Sequence, residues 1–243
     1  MMGAVASGQI PYPKGLEYPL DYLGSPNGLI EDLEYDRAFL IEHLVREGAD
    51  FVDLFQYLVK HKDMDEPVFE PLREFFIYNR TYNADNFDEL YRDYAAFFTL
   101  STKSPISSQD TYEKVAEKKG EYTLDKTKKI EAEITLKGGY TSKVWAVKIQ
   151  GAQTGKLQVN KVLSSSKTIN ADIFLLKSGK KSDEYYKLKL GEINNFFENV
   201  DVEASPGDLL LIIVSNTDSK KQQTLKLEIQ SGEIMLTVDP EKI

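Results

Sequence analysis

The chain has 243 residues and a formal net charge of −9, with 30 Lys and Arg against 39 Asp and Glu. Its 41% apolar and 28% charged residues are ordinary for a globular protein, which excludes collagen-like, coiled-coil and wholly disordered chains. The charge argues against nucleic-acid binding, because phosphate recognition needs a lysine and arginine excess. The chain has no cysteine, so disulfides, a thiol nucleophile and cysteine-ligated zinc are excluded.

The charge is divided unevenly along the chain. Residues 1–108 carry 9 Lys and Arg against 19 Asp and Glu, a net of −10, whereas the remainder has 21 against 20, a net of +1. This length allows two domains, each with its own core. We expect no membrane span, because no apolar run approaches the roughly 20 residues required. The first six residues lack the basic start and apolar core of a signal peptide, so any export signal is expected outside this sequence.

The first part of the chain predicts a small helical domain. Residues 1–28, rich in proline and glycine, predict an extended lead-in, and apolar residues at helical spacing over 29–105 predict four short helices. The last of these helices has an aromatic face too dense to be exposed. That face consists of Phe87, Leu90, Tyr91, Tyr94, Phe97 and Phe98.

The second part predicts an antiparallel β-sandwich. After a polar linker over 106–122, the apolar period changes to two, and about nine short strands separated by turn residues are predicted over 123–243. The apolar run Leu209 to Val214 predicts a central strand covered on both faces, and Trp145 is expected in the core. The fold class is therefore multi-domain α plus β, with a jelly-roll or immunoglobulin-like sandwich. We expect few contacts between the two parts, so that residues 123–243 would fold alone.

The sequence offers no competent set of catalytic residues. Zinc hydrolysis of the usual helical type needs the H-E-x-x-H pattern, and the only histidines, His43 and His61, do not form it. The G-x-S-x-G turn of serine hydrolases is also absent. Acidic pairs are abundant on the predicted helices, where a solvated face explains them better than acid–base catalysis. We expect no catalytic residue and no cofactor.

Two weaker sites remain candidates. Asp63, Asp65 and Glu66 could ligate Ca²⁺ through carboxylate oxygens, although they lack the spacing of the twelve-residue calcium loop. Five aromatic residues could stack on sugar rings, although aromatic residues at strand ends more often close a core: Tyr140, Tyr185, Tyr186, Phe196 and Phe197. The Gly138-Gly139 pair predicts a hairpin turn between two strands.

Several segments together resemble a known group of enzymes. The stretches Tyr35 to Leu44, Gly48 to Phe55 and Phe87 to Phe98 resemble the helical subdomain downstream of the zinc site in secreted gluzincin-type metallopeptidases. The strand-rich remainder is similar to the pre-peptidase C-terminal type of β-sandwich that is often appended to such enzymes. The zinc-binding histidine pair and catalytic glutamate of that family have no counterpart here, so no catalytic residue is carried over.

Two hypotheses about function follow from these observations. The first is a non-catalytic module that acts in binding or supports a neighbouring catalytic segment. The alternative is a glycan-binding or cell-surface-binding sandwich. The expected partner is a protein or polysaccharide surface, and the oligomeric state stays open. An extracellular or cell-surface location is implied by the resemblance alone.

Overall fold

The structure, a computed structural model, describes residues 44–45, 48–61, 72–75, 87–101, 116–124, 128–177, 182–218 and 220–232. Two α-helices are described from end to end, α1 (Phe51–His61) and α2 (Phe87–Leu100); residues 44–45 and 72–75 are also α-helical, and a 3-10 helix spans Tyr185–Leu188. The strands are β1 (Lys118–Thr123), β2 (Ile130–Leu136), β3 (Thr141–Gln150), β4 (Gly155–Ser164), β5 (Ile169–Leu176), β6 (Lys189–Ile193), β7 (Asn199–Ala204), β8 (Leu209–Asn216) and β9 (Gln223–Ser231).

The strands form two sheets that pack face to face. The larger sheet has the order β1-β3-β8-β5-β6, and the smaller has the order β2-β9-β4-β7. The predicted β-sandwich is therefore confirmed, with one difference: β1 runs parallel to β3, so the larger sheet is mixed. The choice between a jelly-roll and an immunoglobulin-like connection stays a prediction.

Strand β8 is buried along its whole length because both faces of the larger sheet are covered. Its side chains at Leu210, Ile212 and Val214 point between the two sheets, into a core that also contains Trp145. The alternate side chains from Leu209 to Ile213 point to the opposite face and belong to a second core. The predictions of a doubly covered central strand and of a buried tryptophan are both confirmed.

Helix α2 covers the outer face of the larger sheet and builds the second core. Its aromatic side chains are buried against that face, and Phe87 and Tyr91 pack edge-on to Tyr140 with ring centroids 5.1 and 5.4 Å apart. Each large apolar side chain buried in this way stabilises the fold by roughly 1.5–3 kcal/mol. The predicted aromatic face is confirmed, but the expectation of few contacts between the helical and strand-rich parts is wrong. The aromatic face packs on the sheet because β8 is apolar on both sides.

One predicted boundary differs from the structure. Strand β1 begins inside the predicted linker 106–122 and ends at Thr123, and it was missed because its Lys-Lys-Gly-Glu-Tyr-Thr sequence is mostly polar and does not alternate. Within the strand-rich part, Tyr185–Leu188 form a 3-10 helix. The lead-in over 1–28 and residues 233–243 of the predicted sandwich lie outside the described residues. The domain bounds 29–105 and 123–243 stay a prediction.

The connection between β2 and β3 crosses from one sheet to the other. The predicted hairpin at Gly138-Gly139 is therefore wrong, since β2 pairs with β9 and β3 pairs with β1 and β8. Gly139 has a φ of 93°, and its N–H donates to the carbonyl oxygen of Asp218. At Gly138 an added Cβ would lie 2.3 Å from the backbone carbon of Lys220, so the crossing needs a residue without a side chain.

We expect the substitution Gly138→Ala to destabilise the protein by roughly 1–3 kcal/mol, because backbone atoms must move to admit the methyl group. The matched control is Gly207→Ala, where φ is 91° but nothing lies within 4 Å of the added Cβ. The control therefore incurs only the left-handed backbone strain of about 1 kcal/mol. Urea denaturation of both variants makes the comparison, and equal losses would show that close approach at Gly138 has no effect.

Candidate binding site

The predicted metal ligands are not tested by the described residues. Asp63, Asp65 and Glu66 lie outside them, as does His43, so the Ca²⁺ site stays a prediction. His61 is the last residue of α1, and its side chain is not described. Within the described ranges, no group of three or more His, Cys, Asp and Glu side chains is placed to hold a metal ion.

The two predicted ligand-binding tyrosines have different environments. Tyr185 is buried, its ring packs edge-on against Phe97, and its hydroxyl donates to Asp93 Oδ2 over 2.8 Å. Tyr186 is 58% exposed, and its ring stands nearly perpendicular to that of Tyr185, with centroids 5.9 Å apart. Tyr185 therefore closes the core under α2, and Tyr186 presents a free ring face. A ligand on either tyrosine stays a prediction.

A network of charged side chains joins α2 to the edge of the larger sheet. Arg92 on α2 donates from Nε to Asp172 Oδ2 over 2.9 Å, and from one terminal nitrogen to Asp172 Oδ1 and Glu192 Oε2 over 2.5 and 2.6 Å. Lys189 lies 2.6 Å from Asp172 and 3.1 Å from Glu192. The side chains of Arg92 and Asp172 are only 11% and 4% exposed, so this is a buried ion pair.

The ion pairs of this network shift the pKa values of Arg92 and Glu192. Burial acts to lower the pKa of Arg92, but its hydrogen bonds and attraction to Asp172 and Glu192 outweigh burial and raise the pKa above its usual value. Burial acts to raise the pKa of Glu192, but the hydrogen bonds and charges of Arg92 and Lys189 hold it below the usual range. Glu192 therefore stays ionised near neutral pH and does not act as a proton donor there.

Acid should weaken this network. Because the pKa of Glu192 is lowered on folding, its stabilising contribution is complete above the unfolded value of about 4.3 and is lost as the pH falls through the folded value. We expect Glu192→Gln to reduce the loss of stability between about pH 4.5 and pH 3. Urea midpoints across this range measure the effect, with the exposed Glu203→Gln as the control. An unchanged pH slope in Glu192→Gln would contradict the expectation.

A pocket of about 240 Å³ opens over the network. Its walls come from α2, the 3-10 helix and strands β5 and β6. The lining residues are Glu89, Arg92, Asp93, Ala96, Asp172, Phe174, Tyr185, Tyr186, Lys189 and Glu192. The helix that covers the sheet thus also creates the pocket, and both predicted tyrosines lie in its wall.

Exposed apolar side chains lie before, on and after edge strand β6. We call Tyr186, Leu190, Phe196 and Phe197 the aromatic edge; Phe196 and Phe197 are 88% and 60% exposed. The two phenylalanines lie in a turn after β6, where Asn194 Oδ1 accepts from their backbone N–H groups over 2.7 and 3.0 Å. The turn closes with a bond from the Asn194 N–H to the carbonyl of Phe197. The rings are therefore presented by a fixed backbone.

Comparisons with known proteins give only weak likenesses. No protein-family model matches the chain, and no curated protein matches it. Among solved structures, the chain is similar to the pre-peptidase C-terminal domain of a collagenase from Bacillus anthracis, with 15% identity and a TM-score of 0.29, over 46% of this chain and 95% of that one. A β-glucosidase from Paenibacillus barengoltzii is similar over 46% of this chain and 11% of its own length, with 13% identity and a TM-score of 0.24.

The fold is therefore assigned from the strand pairing and not from these likenesses. At TM-scores of 0.29 and 0.24 these likenesses carry no argument about the type of sandwich or about activity. Neither comparison links the chain to a zinc metallopeptidase. Within the described residues, neither helix is long and apolar enough to cross a bilayer.

Proposed function

We propose that the chain is a non-catalytic binding module that attaches to a protein or polysaccharide surface through the aromatic edge. The observation that supports this most is the exposure of Phe196 and Phe197 on a turn fixed by Asn194. Isolated exposed apolar residues are common on proteins, but two adjacent exposed phenylalanines on a fixed turn are typical of an interaction site. Little side-chain entropy is lost when such rings are buried, because each has only two rotatable bonds.

The absence of catalysis is supported by the chemistry of the charged network. Its carboxylates at Asp172 and Glu192 are bound to Arg92 and Lys189, and these partners hold the pKa of Glu192 below its usual range. A general acid or base needs a pKa near the working pH, and the pKa of Glu192 moves the opposite way. The module would therefore act by holding a partner, or by holding a neighbouring catalytic segment near its substrate.

A polysaccharide is a specific candidate partner because exposed aromatic rings lie at both ends of β6, Tyr186 before the strand and the two phenylalanines after it. Flat aromatic faces stack on the apolar faces of sugar rings, and several in a row follow the length of a polymer. An extracellular or cell-surface location would then follow, since polymers of this kind are found there. A protein partner would instead bind the same rings in apolar pockets on its own surface.

The test is a pair of arrays, one of glycans and one of peptides, probed with the full chain and two double variants. Phe196→Ser with Phe197→Ser removes the centre of the aromatic edge. Val52→Ser with Val59→Ser removes two residues of similar exposure, 56% and 67%, on the distant helix α1. We expect the first variant to weaken binding by about tenfold or more and the second to leave it unchanged. Equal binding by both variants, or no binding of the wild type on either array, would overturn the proposal.

A further inference from the structure

Four connections between strands lie side by side at one end of the sandwich. Each crosses from one sheet to the other, in the order β2–β3, β8–β9, β4–β5 and β6–β7, because the strands follow this order in both sheets. The strand registers place all four at the same end. Neighbouring strands are about 4.8 Å apart, so the four connections span roughly 14 Å. We call this surface the crossing end; its described residues are 137–140, 217–218, 220–222, 165–168 and 194–198.

Hydrogen bonds join the connections into one surface. Asn195 Nδ2 donates to the carbonyl oxygen of Lys167 over 3.1 Å, which ties the β6–β7 turn to the β4–β5 connection. The Thr217 N–H donates to the carbonyl oxygen of Thr168 over 2.9 Å, which ties that connection to β8–β9. The bond from Gly139 described above adds β2–β3. The phenylalanines of the aromatic edge therefore keep a fixed place beside the other three connections.

The crossing end is basic, although the chain is acidic. Its connections contain four lysines against two acidic residues, a net of +2, whereas the whole chain has −9. These residues are Lys137, Lys167, Lys220, Lys221, Asp218 and Glu198. The Asp218 carboxylate accepts from the N–H groups of Lys220 and Lys221 over 2.9 and 2.8 Å. Glu198 lies 3.2 Å from Lys161 Nζ, so both acids already have partners.

Three of the lysines are accessible to an anionic partner. Lys167, Lys220 and Lys221 are exposed, and within the part of the chain that the structure describes, Nζ of Lys167 and of Lys220 forms no salt bridge. Lys167 lies on the connection next to the phenylalanines, and the other two lie one connection further on. An anionic partner that crosses the connections would therefore meet cations at two successive positions.

The same surface offers groups that suit a sugar. The amides of Asn195 and Gln222 are exposed, and an amide both donates and accepts, as a hydroxyl group requires. The exposed rings of Phe196 and Phe197 can stack on the apolar face of a sugar ring. Rings, amides and cations thus lie on neighbouring connections, which matches a polymer that carries sugar rings, hydroxyl groups and anionic groups.

We propose that the crossing end binds an acidic polysaccharide, a polymer of sugar rings that carry carboxylate or sulfate groups. This inference deepens the proposed function, on which it rests, because it selects one chemical class of partner for the aromatic edge. One sugar ring would lie on the phenylalanines, and anionic groups would lie at Lys167 and at Lys220. An anionic lipid bilayer fits less well, because a flat surface would press against the carboxylate of Glu198, which is 70% exposed. A narrow polymer can pass beside it.

The test measures binding of the full chain to soluble polymers by isothermal titration calorimetry. The probes are polygalacturonate and chondroitin sulfate, with dextran as the neutral polysaccharide. Polyglutamate, a single-stranded oligonucleotide and vesicles of phosphatidylcholine with phosphatidylglycerol represent other anionic partners. We expect at least one acidic polysaccharide to bind about tenfold or more tightly than dextran, and high salt to weaken that binding. The inference is overturned if neither does so, or if polyglutamate, the oligonucleotide or the vesicles bind as tightly.

A triple variant and a matched control locate the interaction. The variant carries Lys167→Gln, Lys220→Gln and Lys221→Gln, and the control carries Lys119→Gln, Lys128→Gln and Lys156→Gln, at exposed lysines away from the crossing end. Both lose three positive charges, and neither changes a buried side chain. We expect the variant to bind the acidic polysaccharide about tenfold or more weakly and the control to bind nearly as the wild type does. Equal losses in the two proteins would contradict the site.

Two outcomes separate this inference from the proposed function. Array binding that depends on the two phenylalanines but shows no preference for acidic polysaccharides removes only the inference. Binding of an acidic polysaccharide that the lysine variant loses, but that Phe196→Ser with Phe197→Ser keeps, overturns the proposed role of the aromatic edge and leaves the lysines as the site.

Discussion

A fragment from Ala116 to Ile243, which lacks the helices, is expected to aggregate or bind hydrophobic dyes rather than remain a well-folded monomer. It keeps all nine described strands, but it exposes the outer face of the larger sheet, where Val144, Phe174, Leu211 and Ile213 lie buried under α2 in the intact chain. Exposure of each large side chain forfeits roughly 1.5–3 kcal/mol, and a contiguous apolar patch of this kind promotes association. Size-exclusion chromatography and NMR dispersion measure the outcome.

The control for this prediction keeps the fragment and changes only the patch. Replacement of Val144, Leu211 and Ile213 by threonine makes the outer face more polar. Threonine keeps the β-branched shape of Val144 and Ile213, and at all three positions it favours a strand. We expect this variant fragment to recover solubility. An unmodified fragment that is monomeric, gives dispersed spectra and binds no dye would show that α2 is not needed to cover the sheet, and would restore the expectation of two autonomous halves.

Arg92→Ala is expected to lower the free energy of unfolding by about 3–5 kcal/mol, because it leaves the buried carboxylate of Asp172 without its closest partner. Lys189 still lies 2.6 Å from Asp172, so a value near the lower end of that range is expected. Arg92→Lys should recover part of the loss, since one ammonium cannot reproduce the two bonds that the guanidinium makes to Asp172. Urea denaturation followed by circular dichroism measures both variants.

The matched control for Arg92 is an exposed ion pair of similar length. Lys187 and Glu184 lie 2.6 Å apart, but their side chains are 61% and 56% exposed. Water screens such pairs, so Lys187→Ala should change the free energy of unfolding far less than Arg92→Ala does. If Arg92→Ala lowered the free energy of unfolding no more than Lys187→Ala does, the charged network would not stabilise the packing of α2 on the sheet.

Much of the fold could be predicted because strands and helices have different apolar periods. Alternation predicted β2 and β4, and the unbroken apolar run of β8 predicted a strand covered on both faces. The sequence did not reveal what covers the second face. Local periodicity shows that α2 has an aromatic side and that β8 has two apolar sides, but it does not say that these surfaces meet.

The site was harder to predict because its residues are far apart in the chain. Arg92 and Asp172 are separated by 80 positions, and Glu192 lies 100 positions after Arg92. Two signals were present: an arginine within an aromatic helix and an aspartate within the apolar strand β5. A charge in such surroundings needs a partner, since burial of an unpaired charge is costly. Tyr186 was identified from its type, but its exposure depends on the 3-10 turn.

Hydrogen exchange of the intact chain tests most directly whether α2 and the sandwich form one structural unit with the pocket between them. If they share a core, the central amides of α2 and those of β8 should exchange with similar opening free energies, close to the global value. Arg92→Ala should then lower protection in both elements together. Fast exchange throughout α2, while β8 stays protected, would contradict the shared core and the pocket that depends on it.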